Sequence, residues 1–135
     1  MPNRRFAPQT VALKAELDLH APDGSEIRLL PSTERGSLCH CTLRPGQVSR
    51  PIRHRTVEEI WYVLKGCGEI WRKYAEDATI AELAAGVSLT IPRGCAFQFR
   101  NGGGEPLEIL IITMPPWPGP EEAESVPGPW PVPDC

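Results

Sequence analysis

Residues 45–68 read PGQVSRPIRHRTVEEIWYVLKGCG and contain the most informative pattern in this chain of 135 residues. A proline-glycine turn opens this segment, and a short run that carries His54 follows it. Glu58 and Glu59 then lead into a β-branched and aromatic run, Ile60 to Leu64, which ends at a Gly-Cys-Gly turn. That run is too short and too β-branched for a helix. The pattern therefore predicts two adjacent strands, one carrying His54 and the other Glu59.

Short strand-like segments separated by glycine and proline turns recur along the rest of the chain. Alternation of apolar and charged residues from Leu13 to Leu19 predicts an opening half-buried strand, and Ser37 to Leu43 predicts another. Leu107 to Met114 is apolar on both faces, so we expect it to be covered on both sides. A spacing of roughly eight to twelve residues between such strands is typical of a sandwich or barrel. The sequence predicts an all-β, antiparallel fold with almost no helix.

The spacing of glycine, histidine and glutamate around His54 resembles the first motif of the cupin superfamily, G-x5-H-x-H-x3/4-E-x6-G. Gly46, His54, Glu59 and Gly66 stand at matching positions. The second cupin motif, G-x5-P-x-G-x2-H-x3-N, is matched in spacing by Gly86, Pro92, Gly94 and Asn101. Two motifs in the right order are a specific signal. The resemblance implies a single cupin barrel of the jelly-roll type.

This resemblance divides the chain into three regions. Residues 36–115 would form the barrel core, and residues 1–35 would contribute N-terminal strands and a loop that pack on it. Residues 116–135 are rich in proline and tryptophan, with eight prolines between Pro115 and Pro133. Because proline excludes a helix interior or a central strand, we expect an extended tail that lies against the barrel or a neighbouring subunit. Binding to a domain that recognises PxxP is the alternative. The acidic patch Glu121 to Glu124 is expected to be solvated.

Two of the four positions that bind metal in metal-dependent cupins hold apolar residues here. The four positions are Ile52, His54, Glu59 and Phe97. Isoleucine and phenylalanine offer no lone pairs, whereas a transition ion in a protein site usually has at least three protein ligands. We therefore expect that no cofactor is required. His54 and Glu59 alone would bind zinc, iron, manganese or nickel only weakly.

Strand alternation, combined with the resemblance, directs one set of side chains into the barrel. The set comprises one imidazole, one carboxylate and five apolar residues: His54, Glu59, Ile52, Trp61, Val63, Phe97 and Phe99. Mostly apolar cavities with a few polar groups are the usual form of small-molecule sites. A buried Glu59 is costly, so we expect it to hydrogen-bond His54, bind an ion or have a raised pKa. The alternative is a filled barrel without a ligand.

Three functions are compatible with these residues. The first, which we favour, is a metal-independent site where His54 and Glu59 bind a small organic ligand or act as general acid and base in an isomerase- or cyclase-like reaction. The second is a metal-dependent, dioxygenase-like cupin with a reduced ligand shell. The third is a non-catalytic binding or structural cupin. Because cupin barrels have many unrelated functions, the resemblance leaves the substrate and the existence of any reaction open.

Composition argues against several kinds of partner and compartment. Acidic residues number 17 and basic residues 14, so no basic footprint favours nucleic acid or an anionic membrane. The N-terminus lacks the apolar stretch of a secretory signal, and no long apolar run occurs, so we expect a cytoplasmic protein. The five cysteines, at positions 39, 41, 67, 95 and 135, cannot all pair within one chain. We expect them to be free thiols.

Alternation along Ser37 to Leu43 predicts that Cys39 and Cys41 share one face of a strand, with His40 on the other. We expect the thiols to be core residues and His40 to face outward or an interface, while a structural zinc is a weak alternative. Leu107 to Met114 also presents an outer apolar face that needs cover. Closed two-fold symmetry supplies such cover most simply, so we expect a homodimer.

Overall fold

The computed structural model describes residues 6–133 as two antiparallel sheets packed face to face. One sheet has six strands in the order β1-β2-β3-β10-β5-β8, and the other has five in the order β11-β4-β9-β6-β7. The strands are β1 (Leu19–His20), β2 (Glu26–Ser32), β3 (Ser37–Leu43), β4 (Ile52–His54), β5 (Glu58–Lys65), β6 (Cys67–Tyr74), β7 (Asp77–Ala84), β8 (Ser88–Ile91), β9 (Ala96–Arg100), β10 (Leu107–Met114) and β11 (Ala123–Ser125). The sheets form an open sandwich and do not close into a barrel. The predicted all-β fold is confirmed.

Residues 6–133 contain no α-helix, and none of their segments could cross a membrane as a helix. A short 3-10 helix, Pro120–Glu122, precedes β11. Residues 1–5 and 134–135 lie outside the described residues. The start of the N-terminal segment, on which the targeting prediction rests, and the fifth cysteine, Cys135, fall in those ranges.

Two neighbouring inner strands of the larger sheet, β5 and β10, show the period-2 burial expected from the sequence. Glu59, Trp61 and Val63 of β5 are buried, and the residues between them are exposed. Each faces a residue of β10 that also points inward, so that Trp61 lies opposite Ile111 and Val63 opposite Ile109. This register brings the inward side chains of β5 and β10 together in one layer.

Apolar side chains fill the space between the sheets. The core consists of Ile27, Cys41, Leu43, Ile52, Trp61, Val63, Ile70, Leu83, Leu89, Ile91, Cys95, Phe97, Phe99, Leu107, Ile109 and Ile111. Trp61 packs edge-to-face against Phe97 and Phe99, with ring centroids 5.5 and 5.0 Å apart. Burying one such large side chain stabilises the fold by about 1.5–3 kcal/mol, so this aromatic cluster is a major part of the core.

The predicted opening strand from Leu13 to Leu19 is wrong, because only Leu19–His20 forms a strand. The preceding residues are largely exposed, and Leu13 retains 52% of its accessible surface. The carbonyl groups of this segment accept hydrogen bonds from a side chain and not from a neighbouring strand. Arg28 donates to the carbonyls of Lys14 and Ala15 at 2.6–3.1 Å. The alternation in sequence therefore does not correspond to a buried face.

The proline-rich tail packs on its own domain. Its strand β11 pairs with β4 at the edge of the smaller sheet. Residues 123–125 can form this strand because none of them is proline. Further along, Gln98 donates to the Trp130 carbonyl at 2.7 Å and accepts from the Trp130 amide at 3.1 Å. Trp117 donates its amide to the Ser37 hydroxyl at 3.2 Å. These contacts hold the tail along the edge and the outer face of the smaller sheet and tie Trp117 to β3.

The expected solvation of the acidic patch is wrong for Glu122, which is 6% exposed. Its carboxylate accepts hydrogen bonds from the Thr56 amide, from the Thr56 hydroxyl at 2.7 Å and from the Val57 amide at 2.8 Å. Glu124 forms an ion pair with Arg53 at 2.9 Å. The patch therefore ties the tail to β4 and to the loop between β4 and β5.

His40 lies on the outer face of β3, as alternation predicts, but it is only 2% exposed. Its Nε2 atom is 2.8 Å from Oε1 of Glu108, which also pairs with Lys65 at 3.0 Å. Cys41 is buried in the core and Cys39 is partly buried. The four described cysteines are all free.

Candidate functional site

A cavity of about 720 Å³ lies at one end of the sandwich. Strands β2, β3, β4, β5, β9 and β10 contribute to its lining, together with the β1–β2 turn and the chain around Trp117. Most of the lining is apolar. The polar and ionisable lining residues are Asp23, Ser25, Ser32, Ser37, Cys39, His54, Glu59 and Thr113. The cavity therefore has the composition of a small-molecule site.

Glu59 points into this cavity from β5 and is 6% exposed. Its Oε1 atom accepts a hydrogen bond from the Trp61 indole at 3.0 Å, and its Oε2 atom accepts one from the Thr113 hydroxyl at 2.7 Å. Burial raises the pKa of Glu59 to about 7, although these two hydrogen bonds oppose the shift. Both protonation states are therefore accessible near neutral pH.

His54 enters the cavity from β4 and is 4% exposed. Its ring makes edge contacts with Phe97 and Trp117, at centroid distances of 5.3 and 5.5 Å. Its Nδ1 atom lies 3.9 Å from Oε1 of Glu59, which is too long for a hydrogen bond, and no described residue is its hydrogen-bond partner. Burial lowers the pKa of His54, so the imidazole is neutral at pH 7.

Asp23 is a third ionisable group of this cavity that sequence reasoning did not identify. It lies in the turn between β1 and β2 and is 7% exposed. Its Oδ1 atom accepts hydrogen bonds from the Ser25 amide at 2.9 Å and the Ser25 hydroxyl at 2.7 Å. Burial raises the pKa of Asp23. The Asp-x-Ser sequence indicates a turn, but nothing local indicates that the turn faces a cavity.

The apolar residues predicted for the pocket separate into two groups. Ile52, Trp61 and Phe97 line the cavity. Val63 and Phe99 do not; they are fully buried in the core. Along β5, the cavity lining ends at the Trp61–Ile111 pair. Val63 is the next inward-facing residue of β5 and lies beyond that end.

Several further lining residues escaped sequence reasoning. Thr113 looked like one member of an apolar strand, yet it binds Glu59. Trp117 belongs to the tail, whose tryptophans indicated packing but not a position beside His54. Cys39 also lines the cavity, and burial raises the pKa of its thiol to about 12. The thiol therefore stays protonated at neutral pH and is a poor nucleophile.

The described residues do not fit a transition metal at the position suggested by the sequence motif. Ile52 and Phe97 lie opposite each other in register on β4 and β9, where two donors would be needed. Both oxygens of Glu59 already accept hydrogen bonds from Trp61 and Thr113. Among residues 6–133, no group of three or more His, Cys, Asp or Glu side chains could hold a metal ion. Two donors are too few for tight binding.

Comparisons with known proteins agree with this architecture. The family described as Cupin domain matches residues 39–113. An uncharacterized protein from Methanocaldococcus jannaschii is 32% identical over 114 residues, which is 78% of this chain and 88% of that protein.

Solved structures extend the comparison. KdgF from Halomonas sp. is similar with a TM-score of 0.63 and 15% identity, over 74% of this chain and 86% of that one. An oxalate decarboxylase from Lactobacillus farciminis, solved as a formate complex, has a TM-score of 0.67 and 22% identity, over 82% of this chain and 33% of that one. At these identities, the structural matches show that the fold is shared, and they carry no information about activity.

Proposed function

This chain belongs to the cupin family, and from that premise we propose that it binds a small organic molecule in the cavity beside His54 and Glu59, without a tightly bound metal. The observation that carries the proposal is the Nδ1 atom of His54, which is buried in the cavity lining without a hydrogen-bond partner among the described residues. An unsatisfied buried polar atom costs about 1–3 kcal/mol. A ligand that hydrogen-bonds this atom would remove that cost.

His54 and Glu59 are suited to act as base and acid on such a ligand. Near neutral pH, the imidazole is neutral because burial lowers its pKa, while Glu59 has a pKa of about 7. His54 takes a proton from one ligand atom, and protonated Glu59 gives a proton to another. The ligand is thereby isomerised or cyclised without gain or loss of atoms. His54 and Glu59 lie 3.9 Å apart, too far for direct proton transfer, so after product release the imidazolium gives its proton to solvent water and the Glu59 carboxylate takes one from it.

Decarboxylation of oxalate, the activity named for one structural relative, finds no support in this cavity. Oxalate is a dianion, and it would lie beside the carboxyl groups of Asp23 and Glu59. The described lining residues include no lysine or arginine to balance its charge.

The binding proposal is tested with benzyl alcohol, a neutral apolar molecule with one hydroxyl group, by ligand-observed NMR. His54→Phe keeps the ring volume and removes the unpaired nitrogen, and His20→Phe is the matched control because His20 is exposed and outside the lining. We expect the His54 variant to bind about tenfold more weakly, while wild type and the control bind equally. Equal binding by all three proteins would contradict the proposal.

The acid-base role is tested with acetophenone, whose methyl protons exchange in heavy water when a base removes them. We expect wild type to accelerate exchange beyond the buffer rate. His54→Phe and Glu59→Gln should each lose this acceleration, because one lacks the base and the other the acid. A wild-type rate equal to that of buffer would leave binding as the only function of the site.

A further inference from the structure

The cavity has an uneven distribution of charge. Asp23 and Glu59 are 7% and 6% exposed, and both line it. No lysine or arginine occurs among its described lining residues. Arg50, whose charge lowers the pKa of Asp23 less than His54 does, is exposed outside the lining, and its guanidinium donates to the Pro22 carbonyl at 3.4 Å. The site therefore offers negative charge to a ligand and little positive charge.

The two carboxyl groups differ in their free hydrogen-bonding capacity. Both oxygens of Glu59 accept hydrogen bonds from neighbouring side chains. In Asp23, Oδ1 takes both bonds from Ser25, and Oδ2 accepts none from a described residue. Asp23 therefore has one oxygen available for a ligand, in the same cavity as the unpaired Nδ1 of His54.

We propose that the ligand carries a protonated amine, and that Asp23 binds this amine while His54 and Glu59 contact the rest of the molecule. This inference rests on the proposed function and adds the chemical class of the ligand. A buried carboxylate is costly unless it is paired, and an ammonium group supplies both the opposite charge and hydrogen-bond donors. The aromatic lining residues Trp61, Phe97 and Trp117 favour an organic cation over a strongly hydrated inorganic one. A carboxylate or phosphate group would meet like charge instead.

Three probes of nearly equal size separate charge from shape: benzylamine, benzyl alcohol and benzoate. Their dissociation constants would be measured by NMR at pH 8, for wild type and for Asp23→Asn. The asparagine keeps an oxygen for both Ser25 bonds, so the turn is preserved, and thermal unfolding checks the fold. Asp18→Asn is the matched control, because Asp18 is exposed, also accepts a backbone bond, from Leu29, and lies outside the lining.

We expect benzylamine to bind about 10- to 100-fold more tightly than benzyl alcohol, with benzoate weakest. Asp23→Asn should reduce the affinity for benzylamine to that for benzyl alcohol and leave the latter unchanged. The Asp18 variant should match wild type with all three probes.

Each other outcome overturns the inference. Benzoate binding as tightly as benzylamine would show that the cavity does not select cations. An equal loss of both amine and alcohol binding in Asp23→Asn would show that Asp23 only maintains the structure. If benzyl alcohol binds through His54 but benzylamine binds no better, the amine inference fails and the proposed function stands. If none of the three probes binds, both fail.

Discussion

Thr113 donates its hydroxyl to Oε2 of Glu59 at 2.7 Å, directly across the strand pair β10 and β5. With Trp61 on the other oxygen, the carboxylate form is held at both ends, yet burial favours the protonated form. Burial is the larger effect, and the pKa of Glu59 rises to about 7. The site therefore contains a carboxyl group whose ionisation near neutral pH costs folding free energy.

This cost predicts a pH-dependent stability. Glu59 binds its proton more tightly in the folded than in the unfolded chain, so its contribution is full below the ordinary pKa of 4.5 and is lost as pH rises through about 7. Glu59→Gln removes the titration and can still bond both Trp61 and Thr113. We expect the variant to exceed wild type in free energy of unfolding by up to about 3 kcal/mol well above pH 7, and to differ little below pH 4.5.

Urea denaturation over a pH series measures this difference. Glu58→Gln is the control, because Glu58 is the exposed neighbour on the same strand. A stability difference that is the same at low and high pH would mean that Glu59 titrates normally in the folded protein.

His54 provides a prediction of opposite sign. Burial lowers its pKa, and the charge of Asp23 is the largest effect that opposes this shift. Protonating His54 therefore costs folding free energy as pH falls below its ordinary pKa of 6.5. We expect Asp23→Asn to lower the pKa of His54 further. Proton NMR titration of the imidazole, assigned with His54→Phe, measures it; an increase in the variant would contradict this electrostatic coupling.

The sequence predicted the part of the site that depends on local periodicity. His54, Ile52 and Glu59 lie on strands whose side chains alternate, and motif spacing identified which face is inward. The sequence also predicted the turn at Gly66 correctly. This glycine has φ 89°, and a Cβ there would lie 2.6 Å from the Pro106 carbonyl oxygen, so a larger residue would not fit. Such local constraints are visible in the order of residues.

The rest of the site depends on contacts between distant segments. Asp23 belongs to a turn that is fastened by a bond from the Arg50 amide to its carbonyl at 2.8 Å. Trp117 reaches His54 because the tail folds back across the sandwich. The false strand at Leu13 has the same origin, since Arg28 binds the backbone that follows it. Periodicity carries no information about which remote side chain will compete for a backbone group.

The attachment of the tail depends on Glu122. Burial acts to raise the pKa of Glu122, but hydrogen bonds from Thr56 and Val57 outweigh it, and the pKa is lowered. Glu122→Ala leaves these donors without their acceptor, so we expect a loss of roughly 2–3 kcal/mol in free energy of unfolding at neutral pH. The loss should shrink as pH falls below 4.5 and through the lowered pKa of Glu122, because protonation of the wild-type carboxylate weakens the same hydrogen bonds. Glu121→Ala, at an exposed neighbour, should change little; an equal loss in both variants would contradict the prediction.

The expected homodimer would bury apolar residues on the outer face of the larger sheet. Ile60 and Ile112 lie opposite each other on β5 and β10, with Tyr62 beside them, and all three are more than two-fifths exposed. We expect a dimer at micromolar concentration and a monomer for Ile60→Glu, because dimer formation would bury the new charge. Ile80→Glu is the control, since Ile80 is exposed on the other sheet. Sedimentation of wild type as a 14.9 kDa monomer would refute the expectation.

The last prediction concerns metal affinity, which should be low because Ile52 and Phe97 occupy two motif positions that hold histidine in metal-dependent cupins. With only His54 and Glu59 as strong donors, we expect wild type purified without an affinity tag to hold substoichiometric metal after dialysis. Phe97→His should raise the affinity for nickel or zinc by at least about tenfold, because the Phe97 ring lies 5.3 Å from that of His54 and the new imidazole adds a third donor. Competition with a chromophoric chelator measures this gain, and adding His54→Phe to the variant should abolish it. One equivalent of metal in dialysed wild type, lost in His54→Phe, would instead show that the cavity contains a further ligand for the ion.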